Sequence, residues 1–263
     1  MSAKKTDEYN SPEKKFSRKK VLEFALSGKF NTPGTILVLG GDNMNDVREG
    51  LHLKLINPKI HRVVSLEGGS ATTTKEDEEN IIKRQKRMLA GFKAHYGLIS
   101  TVRHANLWDG KWEHKIRELG FPPVIAVIGD VCGQCDGKSQ VFFERHIEEN
   151  KDIYALSVRM GFTFNTLDRG HRDNPYQIQL RRAIETGKTF GKPTDFYTDF
   201  YYSFMKKVED MSPSGLDSRE KLRDIYAAYC QIMLFTPRGI KKRFHGALKY
   251  KNNMFNLFFT FSH

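Results

Sequence analysis

Cysteine is scarce, three in 263 residues, so a disulfide scaffold is excluded and a reducing compartment is expected. No apolar run reaches the roughly 18 residues that a membrane-spanning helix needs. The first residues are polar and lysine-rich and lack the apolar core of a secretory signal, which points to an intracellular address, cytoplasm or nucleus. Internal repeats and long low-complexity tracts are missing too. Proline does not occur between Pro123 and Pro175, and no acidic residue follows Asp224.

What is present is positive charge, unevenly spread. The formal net charge is +12 and the pI is near 9.5. Lys4, Lys5, Lys14, Lys15, Arg18, Lys19 and Lys20 outnumber Asp7, Glu8 and Glu13 at one end, and Arg238, Lys241, Lys242, Arg243, Lys249 and Lys251 stand unopposed at the other. Such clusters suit a phosphate-rich partner, because each neutralised phosphate releases a counterion. The plainer alternative is a pair of solvated basic tails that aid solubility. With 39% hydrophobic and 12% aromatic residues, the chain can bury a sizeable core.

Residues 1–19 read as a basic, disordered arm and 20–263 as one domain, with an Arg-, Tyr- and Phe-rich helical insertion over about 162–215. A short helix is expected over Lys20–Ser27. Short β-branched runs then alternate with helical spacing: strands at 35–39, 62–66, 99–105, 124–128 and 153–158, helices at 44–56, 80–95, 113–119 and 139–149. Within the insertion, helices are expected at 176–185 and near 195–208, and a further one at 218–233. Phe255, Leu257, Phe259 and Phe261 alternate after Phe244–Tyr250, which predicts a closing hairpin over a two-residue Lys251-Asn252 turn. The fold class is therefore α/β: a Rossmann-like, doubly wound, mostly parallel sheet with a C-terminal antiparallel hairpin and a helical insertion.

Such sheets bind ligands at the carboxyl ends of their strands. Polar or glycine residues fall at four of those ends: Gly40, Gly41, Asp42 and Asn43; Glu67, before Gly68-Gly69; Asn106 to Asp109; and Asp130. Strand, glycine turn, helix and a second strand ending in a carboxylate form the skeleton of a nucleoside-binding βαβ unit. The glycines let the backbone approach a ligand, and the carboxylate can accept hydrogen bonds from both ribose hydroxyls. Gly40 and Gly41 serve a tight turn under any reading, and Asp42 and Asn43 can equally cap the next helix.

In this layout, over residues 35–160 and 244–261, the chain resembles the class I S-adenosylmethionine-dependent methyltransferases. The family's last strand is antiparallel and closes a hairpin near the C-terminus. Its first motif is an acid followed by a Gly-x-Gly turn; here Val38 stands for the acid and Asp42 for the second glycine. The resemblance implies S-adenosylmethionine as cofactor, with Gly40, Gly41 and Asp42 at its methionine end and Glu67 at ribose. It places Asn106, or else Asp109, at adenine and Asp130 beside the transferred methyl. Asp130 can orient an amine or take a proton from a hydroxyl, or it can cap the turn at 132–138. Asp130-Val131-Cys132-Gly133 together with Tyr250–Met254 looks like phage and large-virus members, which would make the chain virus-encoded. The charge distribution implies a nucleic-acid acceptor, although the Asn/Asp-Pro-Pro-Tyr motif of amino-methylating DNA enzymes is missing.

Three other readings compete. Cys132-Gly133-Gln134-Cys135 follows a strand and precedes a helix, as a thioredoxin-like redox pair does. That fold, however, needs its motif early and a facing proline turn. Zinc would need two more ligands, from Cys230 or a histidine. A nicotinamide or flavin enzyme would set pyrophosphate beside Asp42 without the full Gly-x-Gly-x-x-Gly, whereas a sulfonium cofactor tolerates that acid. The third reading is non-enzymatic: a degenerate methyltransferase fold kept as a nucleic-acid-binding or structural subunit.

Overall fold

The computed structural model describes residues 11–39, 43–67, 74–105, 107, 112–130, 147–165, 206–210, 229, 232, 239–250 and 254–263. The elements are α1 (Pro12–Leu26), β1 (Gly34–Val38), α2 (Asn45–His52), β2 (His61–Glu67), α3 (Lys75–Tyr96), β3 (Ile99–His104), α4 (Glu113–Glu118), β4 (Val124–Asp130), β5 (Tyr154–Asn165), β6 (Val208–Asp210), β7 (Lys241–Tyr250) and β8 (Met254–Ser262). Short helical turns at Ile147–Glu149 and Lys151–Ile153 lead into β5. The strands form one sheet in the order β3-β2-β1-β4-β5-β8-β7-β6. Only β8 runs against the others, pairing antiparallel with β5 and β7.

The expected fold class is the one observed. Two buried clusters, one on each face, hold the sheet. On one face Val21, Leu22 and Leu26 of α1, Val47 and Leu51 of α2, and Leu89 and Phe92 of α3 pack on Ile36, Val38, Val63 and Ile128. On the other, Trp112 and Ile116 join Leu37, Val64, Val127 and the aromatic run Phe162, Phe164, Phe255, Phe259 and Phe261. Burying a large apolar side chain contributes about 1.5–3 kcal/mol, so these two layers dominate the stability.

Several boundaries move. The arm expected to be disordered to residue 19 is helical from Pro12. Ser11 caps it, its side chain accepting from Lys14 N at 3.4 Å, and Pro12 suits the first turn. The buried Ser17 then ties this part of α1 to β8, donating to Asn256 Oδ1 at 2.7 Å. Helix α3 starts at Lys75, five residues earlier than its apolar spacing suggests, because Thr74 accepts from Asp77 N and Glu76, Asp77 and Glu78 fill the first turn. β5 continues to Asn165, through residues expected to open the insertion; Phe162 and Phe164 are buried strand positions. Val208–Asp210, expected at the end of a helix, is an edge strand parallel to β7. Tyr250 pairs with Met254, which leaves three connecting residues in the hairpin where two were expected. The insertion helix at 176–185 lies outside the described residues, as do most of those expected near 195–208 and at 139–149; of the former, Lys206 and Lys207 are described as a turn. Of the helix expected at 218–233, Tyr229 and Ile232 are described and helical.

Candidate active site

Strands β1 to β5 run parallel, so Val38, Glu67, His104, Asp130 and Asn165 end at one edge of the sheet. β1 and β2 are neighbours in register, Val38 opposite Ser65, so the turn that leaves β1 begins beside Glu67. Alternation along β2 sends Val63, Ser65 and Glu67 to the α3 face.

There Glu67 is half-buried and held. Gln85 of α3 donates from Nε2 to Glu67 Oε2 at 2.9 Å, and Ser65 Oγ donates to Gln85 Oε1 at 2.8 Å. Ser65 and Gln85 are both fully buried, so the relay Ser65–Gln85–Glu67 is shielded and orients the carboxylate. On the neighbouring strand, His104 stands opposite Glu67 in register, and its Nε2 lies 2.6 Å from Glu78 Oε1. Sequence reasoning missed Gln85. The signal was present: Gln85, Leu89 and Phe92 form one buried helical stripe, extended by the partly buried Ile82, and a glutamine at a core position must have a partner.

The helix after β1 starts without a side-chain cap from its N-cap residue. Its N-cap is Met44, in the left-handed region at φ 46°, with no side-chain hydrogen bond to the first turn. Asn43 therefore does not cap α2, contrary to one reading of the sequence. A non-glycine residue held at positive φ costs roughly 1 kcal/mol, offset here by the complete burial of Met44. Asp46 in the first turn pairs with Arg18 of α1 at 3.3 Å, fixing α1 against the start of α2.

Asp130 is the last residue of β4, opposite Thr163. Thr163 Oγ1 accepts from Asn256 Nδ2 at 2.6 Å, which completes a buried chain from Ser17 through Asn256 to Thr163. Backbone placement thus brings Glu67 and Asp130 to the same sheet edge, separated by β1. Gly40, Gly41, Asp42, Asn106, Asp109, Cys132 and Cys135 lie outside the described residues, and so does the side chain of Asp130.

A second titratable group sits on the opposite face, away from this edge. Glu113 of α4 is buried, and burial pushes its pKa up to about 8, with Asp152 and Glu149 adding to that and Arg117 opposing it. Tyr154, the first residue of β5, has its phenol pushed up by burial and then by Glu113. Arg117 clamps Asp152 with two bonds of 2.6 Å. Being at the amino end of β5, this group is structural.

No protein-family model matches the chain, and no curated protein matches it in sequence. Solved structures similar to the chain are methyltransferases, each at low identity and low score. An rRNA methylase from Streptococcus thermophilus is 11% identical at a TM-score of 0.40, covering 94% of each chain. An O-methyltransferase family protein from Burkholderia thailandensis is 12% identical at 0.37, over 96% of this chain and 58% of its own. The plantazolicin methyltransferase BpumL, solved with SAH, is 11% identical at 0.36, over 99% of this chain and 89% of its own. The chain thus spans little more than half of the Burkholderia protein. With scores this low the functional reading rests on the chain's own residues. Among the described residues, no helix is long and apolar enough to cross a membrane.

Proposed function

We propose that the chain is an S-adenosylmethionine-dependent methyltransferase acting on nucleic acid. The observation that carries this reading is Glu67: a strand-end carboxylate, half-buried, aimed by Gln85 and adjacent to the turn that leaves β1. A carboxylate so placed accepts from vicinal hydroxyls, the hallmark of a bound ribose. The uncapped first turn of α2 offers backbone N–H groups to the ligand's carboxylate end. The Glu67 carboxylate at this edge favours a cationic sulfonium over a pyrophosphate.

Bound there, the cofactor would supply an activated methyl group. In this assignment Gly40, Gly41 and Asp42 hold its methionine end, Asn106 its adenine, and Asp130 orients the acceptor and takes its proton. Positioning and charge complementarity do most of the work in such a displacement. The acceptor is assigned to nucleic acid because basic residues crowd both ends of the chain.

Isothermal titration with S-adenosylmethionine and with its demethylated product tests the cofactor. Binding in the micromolar range is expected, and Glu67→Ala should weaken it about a hundredfold, since two hydrogen bonds to a charged group are lost. Unchanged affinity in Glu67→Ala removes the ribose role. A second reading is favoured by Val38, buried where the resembled family carries an acid: a degenerate fold that binds nucleic acid without cofactor. The absence of heat at millimolar cofactor would favour it over the enzyme reading.

A further inference from the structure

The face that carries Glu67 also bears a groove on its other half, which the assignment above does not use. Its floor is Phe258 of β8, flanked in register by Gly161 of β5 and Gly246 of β7. One wall is the second half of α1, which can lie this close because Gly161 has no Cβ; one added there would sit 2.8 Å from Val21 Cγ1. The other wall is the segment 206–208, where β6 begins. Together they enclose a cavity of about 670 Å³. Phe24 tilts against Phe258 and His245, with ring centroids 5.3 and 5.0 Å away. Lys20, Arg159, Lys206, Lys207 and His245 surround these rings, against one acid among the described lining residues, Glu23.

The cations are organised. Arg159 donates to the carbonyl oxygens of Phe24 and Ser27 at 3.0 and 2.7 Å and lies 5.8 Å from the Phe24 ring centroid. Lys207 donates to Phe244 O at 3.2 Å, and Lys206 is exposed beside it. Glu23 has its carboxylate 3.8 Å from Lys19 Nζ, so its charge is partly spent outside the groove. His245 records the field: burial, then Arg243, Arg159 and Lys207, hold its pKa below the usual value.

We propose that this groove binds a single-stranded nucleic acid, phosphates against the lysines and a base against Phe24 and His245. Charge complementarity selects a polyanion. Half-exposed rings within the cationic wall select one that offers flat apolar faces, which a single strand has and an acidic peptide or a closed duplex does not. α1 joins the two halves. Its C-terminal half walls the groove, while Lys14, Ser17 and Arg18 lie by Gly129 and Thr163 at the carboxyl ends of β4 and β5. A strand following α1 out of the groove arrives where Asp130 ends β4. That direction rests on the nucleic-acid reading above; binding in the groove does not depend on methyl transfer.

Anisotropy of a fluorescein-labelled 12-mer RNA on the full chain, without cofactor and at 50 mM salt, tests it. Lys206→Glu/Lys207→Glu, and separately Lys20→Glu on the opposite wall, should each weaken binding about tenfold or more and flatten its salt dependence. Lys206→Arg/Lys207→Arg should bind like the parent chain. A 2-aminopurine in the RNA should be quenched on binding. Parent-like affinity in both wall variants overturns the proposal, as does tighter binding of polyglutamate or of duplex RNA than of the single strand. Titration of the wall variants with S-adenosylmethionine separates the two claims: cofactor binding that fails while RNA binding behaves as stated sinks only the methyltransferase reading.

Discussion

The two halves of the sheet solve opposite problems on one face. In β3-β2-β1-β4 the strands are parallel and thinly aromatic, and the polar business is at their carboxyl edge: a carboxylate, an amide and a hydroxyl in a shielded relay. In β5-β8-β7-β6 the far face is packed by phenylalanines stacked on one another, Phe164 on Phe162 and Phe255, Phe259 on Phe244 and Phe261. The near face there is a trough ringed by cations. In the proposed reading one half holds a small cationic ligand and the other a polyanion, each centred on different strands. A protein of net charge +12 can therefore still carry an acidic edge.

The largest expected effect tests the boundary beneath both halves. Glu113, with a folded pKa of about 8 against an ordinary 4.5, stays protonated in the fold when the unfolded chain has lost its proton. Its contribution is fully present below pH 4.5 and is lost as pH rises to 8, on the order of 4 kcal/mol in all. Urea melts of Glu113→Gln across this range should be flatter than the parent's and more stable at pH 8. Equal slopes would place the charge elsewhere.

Next comes Asn256, the link between α1 and the aromatic half. Asn256→Ala leaves the buried hydroxyls of Ser17 and Thr163 without their partner and should cost about 3 kcal/mol by denaturant melting. A loss below about 1 kcal/mol would mean that α1 is held by apolar packing alone. In the parallel half, Gln85→Leu strands the buried Ser65 hydroxyl and takes a donor from the half-buried Glu67 carboxylate, so stability should drop by about 2 kcal/mol. Its sharper readout is cofactor affinity, which should fall several-fold in calorimetry while Glu67 stays in place. An unchanged affinity would separate the relay from the site. The smallest effect is expected from Arg18→Ala, which removes a partly exposed pair with Asp46 and should cost under about 1 kcal/mol.

The parallel half was far more legible in the sequence than the other. Its strands are bounded by Gly40-Gly41, Gly68-Gly69 and the Pro122-Pro123 pair, and the β-branched runs of β1 and β2 are largely buried on both faces. Register then follows from length alone, and Glu67 lands at a strand end. The other half hides because its signals conflict. β5 runs directly into the Arg- and Tyr-rich stretch without a breaker, so Phe162 and Phe164 looked like part of it. β6, three residues long, is too brief to show alternation, and its pairing with β7 is set by a partner far along the chain. Of the groove cations, Lys20 falls in the N-terminal basic cluster, while Arg159 and Lys207 are distant from it in sequence and carry no local signal. Only the register of Gly161, Phe258 and Gly246 gathers them.

β8 is the last of these strands to leave the ribosome, yet it lies in the interior of the sheet, between β5 and β7. Until it emerges, β5 is an unpaired edge with Phe162 and Phe164 bare on one side, and β7 has nothing to join it to the rest. The nascent chain therefore carries a half-finished sheet while residues 166–253 are made, and this late keystone leaves an open strand edge exposed to mispairing until it arrives.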